Sequence, residues 1–578
     1  MTKISEVETK APASRPSSIA AIWQWPGMLA LTAALILLMK PQPYNLTTFF
    51  LQRQDHMLLL LQAACLFLLC QRPRERTEAL GLRPAHLLAV CLGLPVICYA
   101  GHYLLLMGHA LSRDEQMVGF DAAIFASGRI VAALPAYWQA HVSALNDSFM
   151  LPVTHPQAWV SGYLPMNALL HAMIGFAGDS ALTAPLLVGV GAIALHGCVR
   201  ILWPDNREAP VVALLLYAGS GQILFTGMTS YAMSTLLTLN LVWLWLFLRN
   251  RRSSDFAALA IGFIATGLHQ PLFHPLFVLP FGLWLLHQRQ WSRVAIYGLG
   301  YIALCLFWLL WPQWILTLVS GPSSIAAGQG IDYVSRLIQT VRTGDAARFA
   351  NMASNLLRFV AWQHVLLIPM VAAALPMIRR GGLPLALAAG AILPVSVFVI
   401  ILPYQGHGFG YRYLHGVIGN FILLAIYGWM ELDNARPAWR NLLLKSSAAG
   451  AIILLPVQAS MAHALYAPYA AVSRQIDRIP ADYVIISEED ASFASDLVIN
   501  RPDLSNRPIR LLAEAGSTEL FASLCRKQPI LAFVDKRTLE GINAYFKIAN
   551  PGDPSKTTTP LVQHLTKHGC RLIPLPAP

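Results

Sequence analysis

Two adjacent carboxylates, Asp114 and Glu115, are the residues of this sequence best suited to acid–base chemistry. They directly follow a hydrophobic stretch, residues 86–107, that is long enough to cross a bilayer. An ionisable side chain at a membrane edge is costly to keep and is usually functional. We therefore predict that Asp114 is a catalytic base and that Glu115 shares this role or orients a substrate.

Arg412, far along the chain from the acidic pair, has the properties of a phosphate-binding residue. Arg412 lies between Tyr411 and Tyr413 at the predicted outer end of an apolar stretch, which opposes the usual inside bias of positive charge. A guanidinium can bind two phosphate oxygens at once, so we predict a phosphate site at Arg412, Tyr411 and Tyr413. In the alternative interpretation, Arg412 only anchors its span at the headgroups and the two carboxylates only cap a helix.

Histidines add two further candidates. His155 and His407 fall in predicted external loops and are predicted to contact substrate, whereas the other histidines are expected to be structural. A surface helix is predicted directly after the acidic pair. Asp121 on this helix, and Arg358 in the predicted external loop 321–358, are expected to be solvated. The cysteines show no CxxC spacing, and no metal site is predicted; a divalent metal is not indicated.

The composition identifies a polytopic membrane protein. The chain has 578 residues, of which 56% are hydrophobic and 12% charged, and apolar runs of the length needed to cross a bilayer recur along it. We count 14 candidate spans, starting at residue 22. The short stretch 163–178 contains a proline and is expected to be only half inserted, which leaves 13 transmembrane helices.

Loops rich in arginine fix the expected orientation, because such loops face the cytoplasm. They predict a cytoplasmic tail at residues 1–20, a transmembrane domain at 21–465 with an external loop at 108–162, and a periplasmic domain at 466–578. The positive charge, +12 overall, lies almost entirely in the membrane portion and therefore reflects insertion and not nucleic-acid binding.

The last domain reads as alternating short strands and helices, which predicts a small parallel α/β layer. Strands are expected at 483–487, 509–513 and 530–534. No glycine-rich nucleotide-binding motif follows the first strand, so we expect a lid or an acceptor-docking module. Cys525 and Cys570 are its two cysteines; they could form a disulfide in an oxidising compartment or remain free.

The order of these features resembles the GT-C class of membrane glycosyltransferases, including the dolichyl-phosphate-mannose protein mannosyltransferases and the lipid A aminoarabinose transferases. In that class an acidic pair opens the first external loop, a surface helix ends near a glycine, a proline-containing segment follows, and an Arg-Tyr-Leu segment comes late. The matching residues are Asp114-Glu115, Gly128, His155-Pro156 or Tyr163-Leu164-Pro165, and the segment 408–416. The sequence departs from the double proline that commonly follows the histidine or lysine, since Gln157 comes next.

The resemblance implies an inverting transferase that moves a sugar from a polyprenyl-phosphate donor to an external glycan, lipid or protein, in a bacterial inner membrane. Asp114 would be its base, and no cofactor is certain. Two alternatives stay open: a polysaccharide polymerase or ligase with a diphosphate-linked donor, and a flippase or transporter for a lipid-linked sugar. The flippase is disfavoured because the predicted spans are nearly free of charged residues.

Overall fold

A computed structural model describes residues 19–38, 45–71, 76, 78–151, 156–320, 347–432, 435–526, 529–548 and 555–575. Most of this part of the chain is helical, and a small parallel sheet lies near the carboxyl end, which confirms the predicted fold class. His155 and most of the second long external loop lie outside the described residues.

Apolar helices form the membrane portion. Their bounds are Ile19–Leu37, Leu46–Cys70, Pro84–Leu104, Met166–Phe176, Thr183–Leu202, Ala209–Ala218, Gly221–Thr226, Ala232–Leu248, Arg252–Thr266, Phe273–His287, Trp291–Ser320, Arg348–Ala361, Leu367–Ala373, Leu375–Arg379, Leu383–Ile401, Ile418–Met430, Arg436–Ala449 and Leu455–Arg478. Among the described residues, 7 helices are long and apolar enough to cross a membrane by length and composition. The number of spans, 13, stays a prediction.

The helix Met166–Phe176 has only 11 residues. At 1.5 Å per residue it rises about 16 Å, roughly half of the ~30 Å hydrocarbon core. The half-inserted segment expected from the sequence stays a prediction.

The loop at residues 108–162, predicted to be external, contains a helix and a small two-stranded sheet. The helix, Arg113–Ala126, begins directly at the acidic pair, with Ser112 as its N-cap; we call it the loop helix. Strands β1 (Ala132–Ala133) and β2 (Ala158–Trp159) are antiparallel. The sequence predicted a surface helix after the pair, but the pair lies in its first turn and much of the helix is buried.

The carboxyl-terminal domain contains a parallel sheet of four strands. The strands are β3 (Tyr483–Ile486), β4 (Ile509–Leu512), β5 (Ile530–Phe533) and β6 (Arg571–Pro574), and their order across the sheet is β4-β3-β5-β6. The helices are Thr518–Cys525, Glu540–Phe546 and Thr558–Lys567. The three predicted strands are confirmed, and β6 adds a fourth. The helix that leads into the domain continues to Arg478, so residue 465 falls inside a helix.

A disulfide joins Cys525 to Cys570, which answers the alternative left open by the sequence. It ties the end of one helix to the start of β6 across 45 residues. We expect Cys525→Ser combined with Cys570→Ser to lower the unfolding free energy of the domain by about 2–4 kcal/mol, because the unfolded chain regains conformational freedom. Thermal melting and gel mobility with and without reductant test this, and Cys305→Ser is the matched control. Identical melting of the variant and the wild type would contradict it.

Charged residues inside the helical portion correct the expectation that the spans are almost uncharged. Asp55, 0% exposed, accepts hydrogen bonds from Arg358 (Nε, 2.8 Å) and Trp362 (Nε1, 2.7 Å). Arg358 was expected to be solvated, yet it is 1% exposed and its guanidinium also donates to the Gly408 carbonyl. Hydropathy averages miss such pairs, because two buried opposite charges change the mean of a long window very little.

Candidate active site

The centre of the site is an ion pair between Asp114 and Arg412. The Asp114 carboxylate contacts the Nη2 atom of Arg412, and its other oxygen accepts a hydrogen bond of 2.8 Å from the Tyr163 hydroxyl. The two charged side chains are largely buried, at 13% and 7% exposure. Residues 298 positions apart are thus brought together, as expected if the predicted base and the predicted phosphate ligand belong to one site.

The loop helix aims Asp114 at this point. Its N-cap is the Ser112 hydroxyl, which accepts from the Glu115 backbone and also contacts the Tyr231 hydroxyl at 2.6 Å. The carboxyl-terminal domain holds the same helix end, because the Asp496 carboxylate accepts the Arg113 N–H at 2.7 Å. The carboxyl-terminal domain therefore contacts the end of the loop helix that carries Asp114, and its role as a lid or acceptor-docking module stays a prediction.

A tight turn presents Arg412. Gly410 has a φ of +63°, and a Cβ atom there would lie 2.6 Å from the Gln222 side chain, so the turn requires glycine. Gln405 contacts the turn twice: it donates to the Gly410 carbonyl and accepts from the Arg412 N–H, both at 2.9 Å. Arg412 Nη1 donates to the His407 carbonyl. The guanidinium is therefore fixed before any ligand arrives.

Aromatic rings surround the guanidinium. It lies 5.1 Å from the Tyr231 ring centre and 5.4 Å from that of Tyr413, distances that suit cation–π contact. Tyr411, the third residue of the predicted phosphate site, is fully buried and has an unpaired hydroxyl. Tyr413 thus faces the site, whereas Tyr411 lies beneath it.

Two cavities meet at the ion pair. The first, which we call the site cavity, is lined by Asp114, Val118, Asp121, Tyr163, Leu164, Asn167, Ala168, Tyr231, Ala232, Met233, Leu268 and His269. The second, the apolar groove, is lined by Ala232, Met233, Leu236, Ala265, Leu268, His269, Gln270, Phe273, Arg412 and Tyr413. Asp114 therefore faces a partly polar space, and Arg412 faces an apolar one.

The electrostatics keep Asp114 ionised. Burial alone raises the pKa of the carboxyl, but the Arg412 charge and the hydrogen bond from the Tyr163 hydroxyl outweigh it, and the pKa is lower than usual. Burial lowers the pKa of His269 to about 4, so this imidazole is neutral at physiological pH. Its ring centre lies 4.2 Å from that of Tyr163. His269 was expected to be structural, and no local motif in the sequence distinguished it.

Glu115 is placed differently from its neighbour. It is 1% exposed and does not line the site cavity. Its Oε2 accepts from the Leu111 N–H (3.0 Å) and the Tyr466 hydroxyl (3.1 Å), and its Oε1 accepts from the Ser230 N–H (3.1 Å). These contacts suit a residue that positions the loop helix and not one that reacts.

Glu115 gives a stability prediction. Burial raises its pKa to about 7, so the folded protein binds a proton that the unfolded chain releases near pH 4.5. The stability contributed by this group is present below about pH 4.5 and is lost as the pH rises through 7. We expect the unfolding free energy of Glu115→Gln, relative to that of the wild type, to be higher at pH 8 than at pH 5 by roughly 1–3 kcal/mol. Thermal melting at both pH values measures this; exposed Glu540→Gln is the control, and a pH-independent difference would contradict it.

His407 contributes its backbone and not its ring to the site. The side chain is 4% exposed and both ring nitrogens lack partners. Its ring contacts Phe50, Phe493 and Phe546, which belong to the membrane portion and to the carboxyl-terminal domain. Substrate contact by the imidazole stays a prediction.

Asp121 is also not where the sequence placed it. It is 6% exposed and lines the site cavity instead of a solvated face. Seven residues after Asp114, it completes two helical turns and returns to the same side of the helix. This spacing was visible in the sequence and was the available signal.

No protein-family model matches the chain, and no curated protein matches it. Among solved structures, ArnT from Cupriavidus metallidurans is similar in the apo state, with 12% identity and a TM-score of 0.47. The same protein bound to undecaprenyl phosphate gives 15% identity and a TM-score of 0.46. Each alignment covers 72% of this chain and 84% of the other. ArnT is a lipid A aminoarabinose transferase, one of the two groups named for the sequence resemblance.

Proposed function

We propose that the protein is a membrane glycosyltransferase that moves a sugar from a polyprenyl-phosphate donor to an acceptor on the external face. The supporting observation is the Asp114–Arg412 pair at the junction of a partly polar cavity and an apolar groove. A ligand that suits both spaces has an apolar chain, an anionic group beside the guanidinium, and a polar group beside the carboxylate. A polyprenyl-phosphate sugar has these three parts in this order.

The chemistry follows from the two charges. The acceptor oxygen attacks the anomeric carbon while the bond from that carbon to the phosphate oxygen breaks, and the electron pair leaves with the phosphate. Arg412 stabilises the charge that develops on the leaving group, and Asp114 takes the acceptor proton. Direct displacement inverts the anomeric centre, so no covalent sugar–enzyme intermediate is needed.

The ion pair gives the site an order of events. Without donor, Arg412 neutralises Asp114 and weakens it as a base. A phosphate that competes for the guanidinium releases the carboxylate beside the sugar. Asp114 therefore becomes an effective base only when the donor is bound.

We also propose the orientation of the chain in the membrane. The amino end is cytoplasmic and the disulfide-containing domain is periplasmic, in a bacterial inner membrane.

The test is transfer of radiolabelled sugar from synthetic donors to membrane extracts by the purified protein. We expect transfer from a polyprenyl-monophosphate sugar and none from the corresponding diphosphate. Transfer only from the diphosphate would support the polymerase or ligase instead, and movement of intact donor across vesicles without transfer would support the flippase. Both results would overturn the proposal.

A further inference from the structure

One segment of the carboxyl-terminal domain contacts both halves of the proposed site. It comprises residues 492–496, which follow β3, and we call it the bridging segment. Its residue Phe493 contacts the ring of His407, in the turn that presents the guanidinium. Its residue Asp496 contacts Arg113, at the start of the loop helix. The function proposed above assigns no role to this segment.

Asp496 caps the loop helix from another domain. The first backbone N–H groups of a helix have no partner within it, and a carboxylate suits the positive end of the helix dipole. The Asp496 carboxylate accepts the Arg113 N–H, and the Asp496 carbonyl accepts the Gln116 side chain, both at 2.7 Å. Because Asp114 directly follows Arg113, this contact helps to fix the direction in which the Asp114 carboxylate points.

Hydrogen bonds to two other elements hold the rest of the bridging segment. The Ser492 carbonyl accepts the Tyr469 hydroxyl at 2.6 Å, and Tyr469 belongs to the helix that leads into the domain. The Ser495 carbonyl accepts the Asn146 side chain at 2.9 Å, and Asn146 belongs to the loop that contains the loop helix. The segment is therefore fixed between these elements and the sheet.

Phe493 has an unusual backbone conformation. Its φ is +56°, in the left-handed region where residues other than glycine are uncommon. Such conformations persist where surrounding contacts fix them, and they cluster at functional sites. The Phe493 ring centre lies 4.7 Å from that of His407 and 5.6 Å from that of Phe546. The contacts of the ring therefore offset the cost of the backbone conformation.

The domain and the loop also share an apolar core. Phe120, Trp138 and Trp159 of the loop pack in one cluster with Leu511 and Phe521 of the domain. All five side chains are buried, so separating the domain from the loop would expose apolar surface to water. A hydrophobic interface of this kind favours a fixed domain over one that opens and closes in each turnover.

We propose that the bridging segment is a fixed positioning element of the site and not part of a moving lid. Asp496 positions Asp114 through the loop helix. Phe493 positions Arg412 through the turn that contains His407. This inference rests on the proposed function and assigns a role to the carboxyl-terminal domain. Asp496 and Phe493 do not line the site cavity or the apolar groove, so they act through the base and the phosphate-binding cation.

Asp496 should affect the chemical step. We expect Asp496→Ala to lower kcat about 10- to 100-fold and to change the donor KM less than about threefold, because only the base is misplaced. Asp496→Asn should stay within about threefold of the wild type, since its amide oxygen can still accept the Arg113 N–H. The matched control is Asp482→Ala, which removes a carboxylate that accepts the Ile530 N–H at 2.8 Å within the domain. Initial rates with radiolabelled donor measure these variants.

Phe493 should affect donor binding instead. We expect Phe493→Ala to raise the donor KM about three- to tenfold, because the turn that presents Arg412 loses a ring contact. The kcat at saturating donor should change less than about twofold. Leu504→Ala is the matched control, since Leu504 is a buried residue of the same domain with a φ of +54°. Direct binding of a donor analogue checks the KM.

A double-variant cycle shows whether Asp496 acts through Asp114. In the Asp114→Asn background, Asp496→Ala should lower the residual rate less than about twofold further, because an absent base cannot be misplaced. If Asp496 only stabilised the fold, the loss would be the same in both backgrounds.

Amide hydrogen exchange gives a readout that needs no substrate. Asp496→Ala should speed exchange in the peptide 111–118 about three- to tenfold, because the Arg113 N–H loses its acceptor. Asp496→Asn and Asp482→Ala should leave this exchange unchanged.

A crosslink tests the fixed domain even if Asp496→Ala does not fold. Tyr137 of the loop and Ser523 of the domain have hydroxyls 2.6 Å apart. We expect Tyr137→Cys combined with Ser523→Cys, joined by a short bismaleimide, to keep kcat within about twofold of the uncrosslinked variant, because the domain need not open.

Several outcomes would overturn the inference. They are a wild-type kcat in folded Asp496→Ala, an equally large loss in Asp496→Asn, an equal loss in the Asp114→Asn background, a wild-type donor KM in Phe493→Ala, unchanged exchange at residues 111–118, and loss of turnover on crosslinking, which would support the lid. In each case transfer by the wild-type protein would leave the proposed function standing. A wild-type protein that transfers no sugar would overturn the proposed function itself, while hydrogen exchange would still test the contact between Asp496 and the loop helix.

Discussion

Replacing Asp114 with asparagine should reduce sugar transfer about 10²- to 10⁴-fold, the usual effect of losing a general base. The amide keeps the shape of the side chain but cannot accept the acceptor proton. The fall should be in kcat and not in the KM for the donor, because Arg412 still binds the phosphate. Initial rates with radiolabelled polyprenyl-phosphate donor, at several donor concentrations, measure this split.

The control must separate chemistry from folding. Asp114→Asn leaves a largely buried guanidinium without its carboxylate, which can cost several kcal/mol, so the melting temperature of each variant is measured as well. Asp114→Glu keeps the charge, and Asp147→Asn makes the same change elsewhere in the external loop. Wild-type rates in a stable Asp114→Asn variant would remove Asp114 from the mechanism.

The sequence predicted the two charges of the site separately, for physical reasons that apply to each alone. A carboxylate at a membrane edge is costly, and an arginine at an outer span end opposes the inside bias. It did not predict that Asp114 and Arg412 form a pair, because tertiary contacts between residues so far apart leave no periodic pattern. His269 was missed for the same reason: its role depends on the neighbouring Tyr163 ring, and nothing in its local sequence differs from that of a structural histidine.

Errors in the site came from treating charge as solvated by default. Asp121 and Arg358 were both expected in water, and both are buried. Asp121 shares a helix face with Asp114, and that period of seven could have been used. Arg358 depends on Asp55, more than 300 positions earlier, and no local signal connects the two. The strands of the carboxyl-terminal sheet were predicted better than the buried charges, because short apolar runs between turn residues are a local signal.

The buried Arg358–Asp55 pair explains how Arg412, the residue proposed to bind phosphate, can be rigid. Arg358 donates to the Gly408 carbonyl, in the same turn that carries Arg412, and His407 in that turn contacts Phe493 of the carboxyl-terminal domain. The turn is therefore supported from the membrane helices and from the covering domain together. Such preorganisation lowers the cost of fixing the guanidinium when the donor binds.

Arg412 should show the complementary kinetic signature. We expect Arg412→Gln to raise the KM for the donor about 100-fold, because a buried charge-assisted contact to phosphate is lost. Arg412→Lys should recover part of this, to a deficit of about tenfold, since an ammonium keeps the charge but not the planar pair of donors. Rates at varied donor concentration and direct binding of a donor analogue measure both variants.

The double variant Asp114→Asn with Arg412→Gln tests whether the two charges stabilise each other in the absence of donor. Arg412→Gln alone leaves a carboxylate in a largely buried site without its counterion, which raises the carboxyl pKa and impairs folding and catalysis together. Removing both charges relieves this cost, so the double variant should melt higher than Arg412→Gln alone while staying inactive. Arg249→Gln, an arginine outside the site that lies over the Trp245 ring, is the control. If the double variant melted lower by the sum of the two single effects, the charges would act independently, and release of Asp114 by the donor phosphate could not be the event that activates the base.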